Sequence, residues 1–233
     1  MKILAVDTST MAGGVALMES SRVLCDLRVN LQVSHTPRLL ALIHQALTLA
    51  SIPLTSIDLL AASQGPGSFT GLRIGIATVM GLGQAMRRAV LGVDTLEALA
   101  MKALYSQYPV CSVLDARKGE VFGAIFRVSA GGPRRLTPNL VMPPEAFCAN
   151  ITEPTLLLGT GVDVYREIWD RHLGELAIFA PPWLGMPCSV EVGALAFTQA
   201  TVGSGGPGAV LTPVYVRASE AEVNWSRQHD DDP

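Results

Sequence analysis

Hydrophobic and polar positions follow two periods along this chain, and the switches between them mark its elements. Apolar runs of strand length at 3–6, 14–18 and 23–29 are separated by the turn-forming MAGG and ESSR, which predicts a three-stranded meander. The period then lengthens to that of a helix. Thr36 caps it, Pro37 takes its first position, and Leu39, Leu40, Leu42, Ile43, Ala46, Leu47 and Ala50 leave it apolar around much of its circumference. A strand at 59–63 leads into GPGSFTGLRIG at 65–75, whose helical pattern runs on to about residue 88. A short strand at 90–93 and a helix at 95–106 complete this half.

The second half repeats the order. Strands are expected at 110–114, 121–128 and 136–141, then a short helix at 144–149, a strand at 155–158, a helix at 162–171, a strand at 177–179 and a helix at 190–202. Each half therefore reads βββαβαβα, a meander that passes into crossover helices. This predicts an α/β protein with the duplicated, two-lobed fold of actin-like, sugar-kinase and Hsp70-type ATPases (the ASKHA class). Residues 1–106 form the first lobe and 107–233 a second, smaller one, with a late helix able to return to the first. Likeness of fold carries no activity by itself. Beyond residue 202, VGSGGPG reads as a connector, 214–216 as a last strand, and HDDDP as a solvated acidic end.

Composition narrows the partners. Hydrophobic residues make up 49% of the 233 and charged residues 16%, which suits either a surface covered by another subunit or a compact α/β protein with few surface charges. A net charge of -3 gives no field that gathers nucleic acid non-specifically, so any contact with nucleic acid would be local or made through a partner. Cys25, Cys111, Cys148 and Cys188 lie far apart with no CxxC pair, and reduced thiols are expected rather than a zinc cage or disulfides. A strand directly after Met1, with no apolar run able to span a bilayer, points to the cytoplasm and away from membranes.

Candidate chemistry sits at the strand ends. Asp7 ends the first strand of one half and Asp115 the first strand of the other, so with Thr8 and Thr10 they could line a weak nucleotide cleft. The turns that follow, TSTMAGG and ARKG, lack the paired glycines that let a phosphate approach, and each aspartate could equally cap its own turn. GPGSFTGLRIG has neither the GKS or GKT ending of a P-loop, nor GxGxxG spacing, nor a GxSxG elbow, and Ser68 reads as a helix cap. His35 and His44 are nine residues apart and do not share a helical face as metal ligands would. The helix after Ser68 carries small residues at Gly71, Gly75 and Thr78 beside an apolar stripe of Leu72, Ile76, Val79 and Met86, so it calls for partners on both sides.

ILAVDTST, SHTPRLLALI, GPGSFTGLRIG, GVDTLEALA, LDARKGEVFGA and PVYVR together resemble the TsaB family, also called YeaZ, of tRNA threonylcarbamoyladenosine biosynthesis proteins, over most of the chain. Thr36 and Pro37 stand where that family has Ser and Glu in HSExLL. The resemblance implies a paralogue of TsaD without catalytic residues or metal. Where TsaD has a segment like VNHxEGH, whose histidines hold metal, this chain has VDTLEAL, with Thr95 and Leu99 in their places. It implies a scaffold that pairs with TsaD, joined by the ATPase TsaE, for threonylcarbamoylation of the adenosine 3′ of the anticodon in tRNAs reading codons that start with A. No cofactor is implied, with ATP or ADP bound weakly or at a joint of the complex. Carried over by position, the contact residues are His35, Arg38, Leu39, Leu42, Ile43 and Ala46 on the first helix, and Gly71, Leu72, Gly75, Ile76, Thr78 and Val79 on the second. Gly71 and Gly75 would permit close approach of a partner helix. Two other classes stay open: a weak ATPase, kinase or peptidase-like enzyme using Asp7 and Asp115, and a homodimer that buries the same helices.

Overall fold

β1 (Lys2–Asp7), β2 (Ala12–Glu19) and β3 (Arg22–Asn30) form the antiparallel meander; β1 and β2 are buried almost throughout, and β3, at the sheet edge, alternates. The computed structural model describes residues 1–30, 36–186 and 189–217. After α1 (Thr36–Ala50), β4 (Leu59–Gly65) joins β1 in parallel, and after α2 (Phe69–Met86), β5 (Ala89–Asp94) joins β4 in the same way. α3 (Thr95–Ala100) then leads out of the first sheet, whose strands lie in the order β5-β4-β1-β2-β3.

The second sheet is assembled from β6 (Val110–Arg117), β7 (Glu120–Ser129), β8 (Gly132–Arg135), β9 (Leu140–Met142), β10 (Thr155–Leu158) and β11 (Ala177–Phe179). Its order, β11-β10-β6-β7-β8 with β9 also on β7, repeats the first sheet strand for strand. Its helices are α4 (Pro144–Phe147), α5 (Thr160–Val164) and α6 (Arg166–Leu173), and α7 (Ser189–Thr201) follows. β12 (Gly206–Pro207) finally pairs antiparallel with β5, back on the first sheet.

Three cores follow from this layering. α1 and α2 cover the outer face of the first sheet, where Leu39, Ile43, Ile76 and Val79 meet Leu4, Val6, Leu60 and Ala62. On the outer face of the second sheet, Trp169 and Leu173 of α6 and Phe147 of α4 pack on Cys111, Val113 and Ile125. Between the sheets, α3 and α7 share one continuous core with both, from Ile3 and Ala61 through Leu96 and Val192 to Leu114 and Phe126. α7 lies against β1, β2 and β4, so a helix late in the chain completes the first lobe. Gly193 makes that approach close, because a Cβ there would stand 2.5 Å from Met18 Sδ.

The departures from the sequence reading have local causes. Of the strand expected at 136–141 only the end is found, as β9 from Leu140, while β8 occupies 132–135, inside the stretch read as a turn; between them the Leu136 and Thr137 amides both turn to the Ile125 carbonyl and Thr137 Oγ1 accepts from the Ile125 amide. The helix expected at 162–171 breaks at Tyr165 (φ -115, ψ 27), giving α5 and α6. The one at 95–106 stops at Ala100 and tightens into a 3-10 turn over Met101–Ala103. Residues 214–216 form no strand, and pairing is found instead at β12 inside the connector. The acidic end, Cys188 and His35 lie outside the described residues. No helix among the described residues is long and apolar enough to cross a membrane.

Candidate functional site

β4 delivers the chain to Gly65, in the left-handed region at φ 121, and three residues later Ser68 starts α2 as its cap, its Oγ accepting from the Gly71 amide at 3.2 Å. The helix begins pressed onto the β1–β2 turn. Ser68 N–H donates to the Ser9 carbonyl at 2.6 Å, and Thr8 Oγ1 donates to the Gly71 carbonyl at 2.7 Å. A Cβ on Gly71 would run into the Thr8 carbonyl oxygen, one on Gly75 into Thr8 Oγ1, and one on Gly67 into the Ser9 carbonyl oxygen. This corrects the expectation that Gly71 and Gly75 make room for another helix. They make room for the protein's own Thr8–Ser9 turn.

The two strand-end aspartates each hold their own turn. Asp7, 1% exposed, accepts through Oδ1 from the Ser9 amide at 2.9 Å and from Ser63 Oγ at 2.8 Å. Thr10 Oγ1 closes the same turn by exchanging hydrogen bonds with the backbone of Ala12, at 3.2 Å each way. Asp115 accepts from the Arg117 amide at 2.8 Å and the Tyr165 hydroxyl at 3.2 Å. Burial, and then the neighbouring Asp115 carboxylate, push the Tyr165 phenol up, so it stays a donor to Asp115. Among the described residues, no three His, Cys, Asp or Glu side chains come together as metal ligands would. Leu99 lies in the shared core. Burial pushes the Cys111 and Cys148 thiols up, away from the reactive thiolate.

Eleven of the twelve residues expected at a helical interface are among the described residues, and they divide by face. Leu39, Ile43 and Ala46 on α1, and Gly71, Leu72, Gly75, Ile76 and Val79 on α2, are buried in the protein's own first lobe, which leaves them no surface to offer a partner. Arg38, Leu42 and Thr78 remain half-buried at the margin. The side facing solvent carries Leu40 (57% exposed), Ala41, His44, Leu49 (64% exposed) and, on α2, Ala77 and Gly81. A groove of about 520 Å³ opens there, lined by Leu40, Ile43, His44, Leu47, Leu54 and Leu82 among others. Leu40 belongs to the apolar pattern of the first helix but not to its expected contact residues, and Leu49 and Leu82 belong to neither. The signal for Leu40 is its place beside Leu39 in a pattern that is apolar around much of the helix.

With this arrangement in hand, likeness to known proteins is informative. Residues 30–225 match the family described as TsaD: tRNA N6-adenosine threonylcarbamoyltransferase. The tRNA threonylcarbamoyladenosine biosynthesis protein TsaB of Bacillus subtilis (strain 168) is 25% identical over 228 residues, covering 97% of this chain and 98% of its own. The solved structure of YeaZ from Pseudomonas aeruginosa superposes with a TM-score of 0.78 at 30% identity, covering 92% of this chain and 99% of that one.

The chain belongs to the TsaB (YeaZ) family.

In this family member two sheets of one strand order make a duplicated α/β fold. Component A of the (R)-2-hydroxyglutaryl-CoA dehydratase of Acidaminococcus fermentans shares that fold at 11% identity and a TM-score of 0.52. This TsaB-family member ends β1 on Asp7 and carries Asp115 near the end of β6, and its first lobe presents a groove lined largely by apolar residues.

Proposed function

We propose that this protein works in the threonylcarbamoylation of tRNA as a non-catalytic subunit that pairs with TsaD through the solvent-facing side of α1 and α2, with TsaE joining the pair. One observation carries the reading. Leu40, more than half exposed, lines a groove whose walls are largely leucine and isoleucine, and Leu49, also more than half exposed, stands elsewhere on the solvent-facing side of the same helix, in a helical layer whose other face is already covered by its own sheet. The engagement of Asp7 and Asp115 in their own turns also supports a binding role rather than phosphoryl chemistry. In this reading the lobe formed by 1–106 bears the partner face, 107–233 supplies the second lobe and α7, the protein needs no cofactor of its own, tRNA is met through the complex, and the work is done in the cytoplasm.

The test is reconstitution with the cognate TsaD, TsaE and tRNA. Modification should depend on this chain, and the double variant Leu40→Asp, Leu49→Asp should weaken pairing by about tenfold or more while its circular dichroism and melting stay those of the parent. Undiminished pairing by the folded variant would overturn the interface. ATP turnover by the isolated chain, abolished by Asp7→Ala, would overturn the non-catalytic role.

A further inference from the structure

Residues 209–217 pass from one lobe to the other. Ala209 and Leu211 pack against the outer core of the first lobe, and Val216 reaches the core between the sheets. The Val214 amide donates to the Gln64 carbonyl at 2.8 Å, and the Gln64 side chain donates back to the Thr212 carbonyl at 2.7 Å. Gly65 admits the strap because a Cβ there would stand 2.5 Å from the Val214 carbonyl oxygen. Tyr215 stacks on Phe69 with ring centroids 4.5 Å apart, and its hydroxyl accepts from Arg73 Nε at 2.9 Å. Arg73 itself lies 3.8 Å over the Phe69 ring.

Two residues later the chain is on the other lobe. Arg217 pairs with Glu120, donates to the Arg117 carbonyl at 3.5 Å, and holds its guanidinium 5.8 Å from the Phe122 ring. The turn it grips is one of high backbone cost: Arg117 at φ 62 and Lys118 at φ 56 both take left-handed conformations without being glycine. Such a turn persists when its surroundings hold it. The shared core fixes the lobes at their centre, and the strap ties them at the strand ends, from the amino end of α2 to the β6–β7 turn.

We propose that residues 212–217 are a clasp between the lobes, in which Tyr215 anchored on the first lobe sets the order of the Arg117–Glu120 turn on the second. The clasp makes the loops next to Asp7 and Asp115 respond together, although they belong to different lobes. Its Arg217–Glu120 half is electrostatic and weakens with salt, whereas the Tyr215–Phe69 half does not.

Amide hydrogen exchange on the full chain, read by mass spectrometry for the parent, Tyr215→Ala and Arg217→Ala, tests this. Tyr215→Ala should raise exchange across 116–121 by about threefold or more, and Arg217→Ala should do the same across 65–73. The double variant should add little to either single. Both residues lie at the surface end of the strap, and circular dichroism verifies that each variant folds. If Tyr215→Ala alters exchange around 65–73 alone, and Arg217→Ala around 116–121 alone, the two ends are independent and the clasp is overturned.

Discussion

Under both outer helical layers lies a sheet of one strand order, yet α1 and α2 are 15 and 18 residues long while α5 and α6 are 5 and 8. α6 buries Trp169 and Leu173 and turns Arg166, Glu167, Asp170 and Arg171 to solvent, so its packing is complete within the chain. α1 buries Leu39, Ile43 and Ala46 in the same manner but turns Leu40 and Leu49 outward, and α2 adds Ala77 and Gly81. Duplicated strands therefore do not fix what covers them. α6 is finished with charge, whereas α1 leaves two leucines on its solvent side.

The sharpest way to break this comparison uses two glycines of one helix. Gly75→Leu drives a side chain into Thr8 Oγ1 and should cost about 3 kcal/mol in urea denaturation, loosening α2 from the first lobe. Gly81 has nothing within 4 Å of the position a Cβ would take. Gly81→Leu should leave the fold intact, or stabilise the helix by up to about 1 kcal/mol, while reducing affinity for TsaD. Equal stability loss in the two variants would mean that α2 has no free face.

The next effect lies on the seam between the lobes. Lys102, with a side chain 3% exposed, stands 3.8 Å from Glu191 at the start of α7. Burial raises the Glu191 carboxyl above its ordinary 4.5, Asp26 adds to this, and Lys102 and Arg28 pull it back. Lys102→Met removes the largest opposing charge and should cost about 2 kcal/mol near pH 7. The sign follows from linkage. A carboxyl whose pKa is higher folded than unfolded favours the folded state when protonated, so its contribution is fully present below about 4.5 and is lost as pH rises through the folded value. The gap between parent and variant should therefore open from acid to neutral pH. Urea midpoints that differ by the same amount at pH 4.5 and pH 7.5 would remove Glu191 from the account.

Much of this was legible in the sequence because two signals are local. The first meander, the Ser68 cap, the two strand-end aspartates and the repeat of the unit follow from periodicity and turn chemistry. What was not legible depends on which neighbour an element meets. Gly71 and Gly75 announce close approach, but that the approaching backbone is Thr8–Ser9 is a long-range fact. Leu39 and Leu40 are adjacent in an apolar pattern, and the sheet position decides which one is covered. The break at Tyr165 is set where its ring reaches Asp115, a contact between residues 50 apart in sequence.

The smallest effect sharpens the comparison from the finished side. On α6, Arg166 Nε lies 3.2 Å from Asp170 Oδ2 at helical i,i+4 spacing, and the same guanidinium sits 3.5 Å over the Phe179 ring of β11. Both charges are about half exposed, so water and salt already screen them, and Asp170→Ala should cost no more than about 0.5 kcal/mol, vanishing near 1 M salt. Arg166→Ala removes the ion pair together with the stacking on Phe179 and should cost about 1 kcal/mol, of which the stacking part survives in salt. Neither variant should change affinity for TsaD, because this helix presents charge where α1 presents leucine. A loss of pairing in Arg166→Ala equal to that of the Leu40, Leu49 variant would place the partner on both lobes and erase the asymmetry between their helical layers.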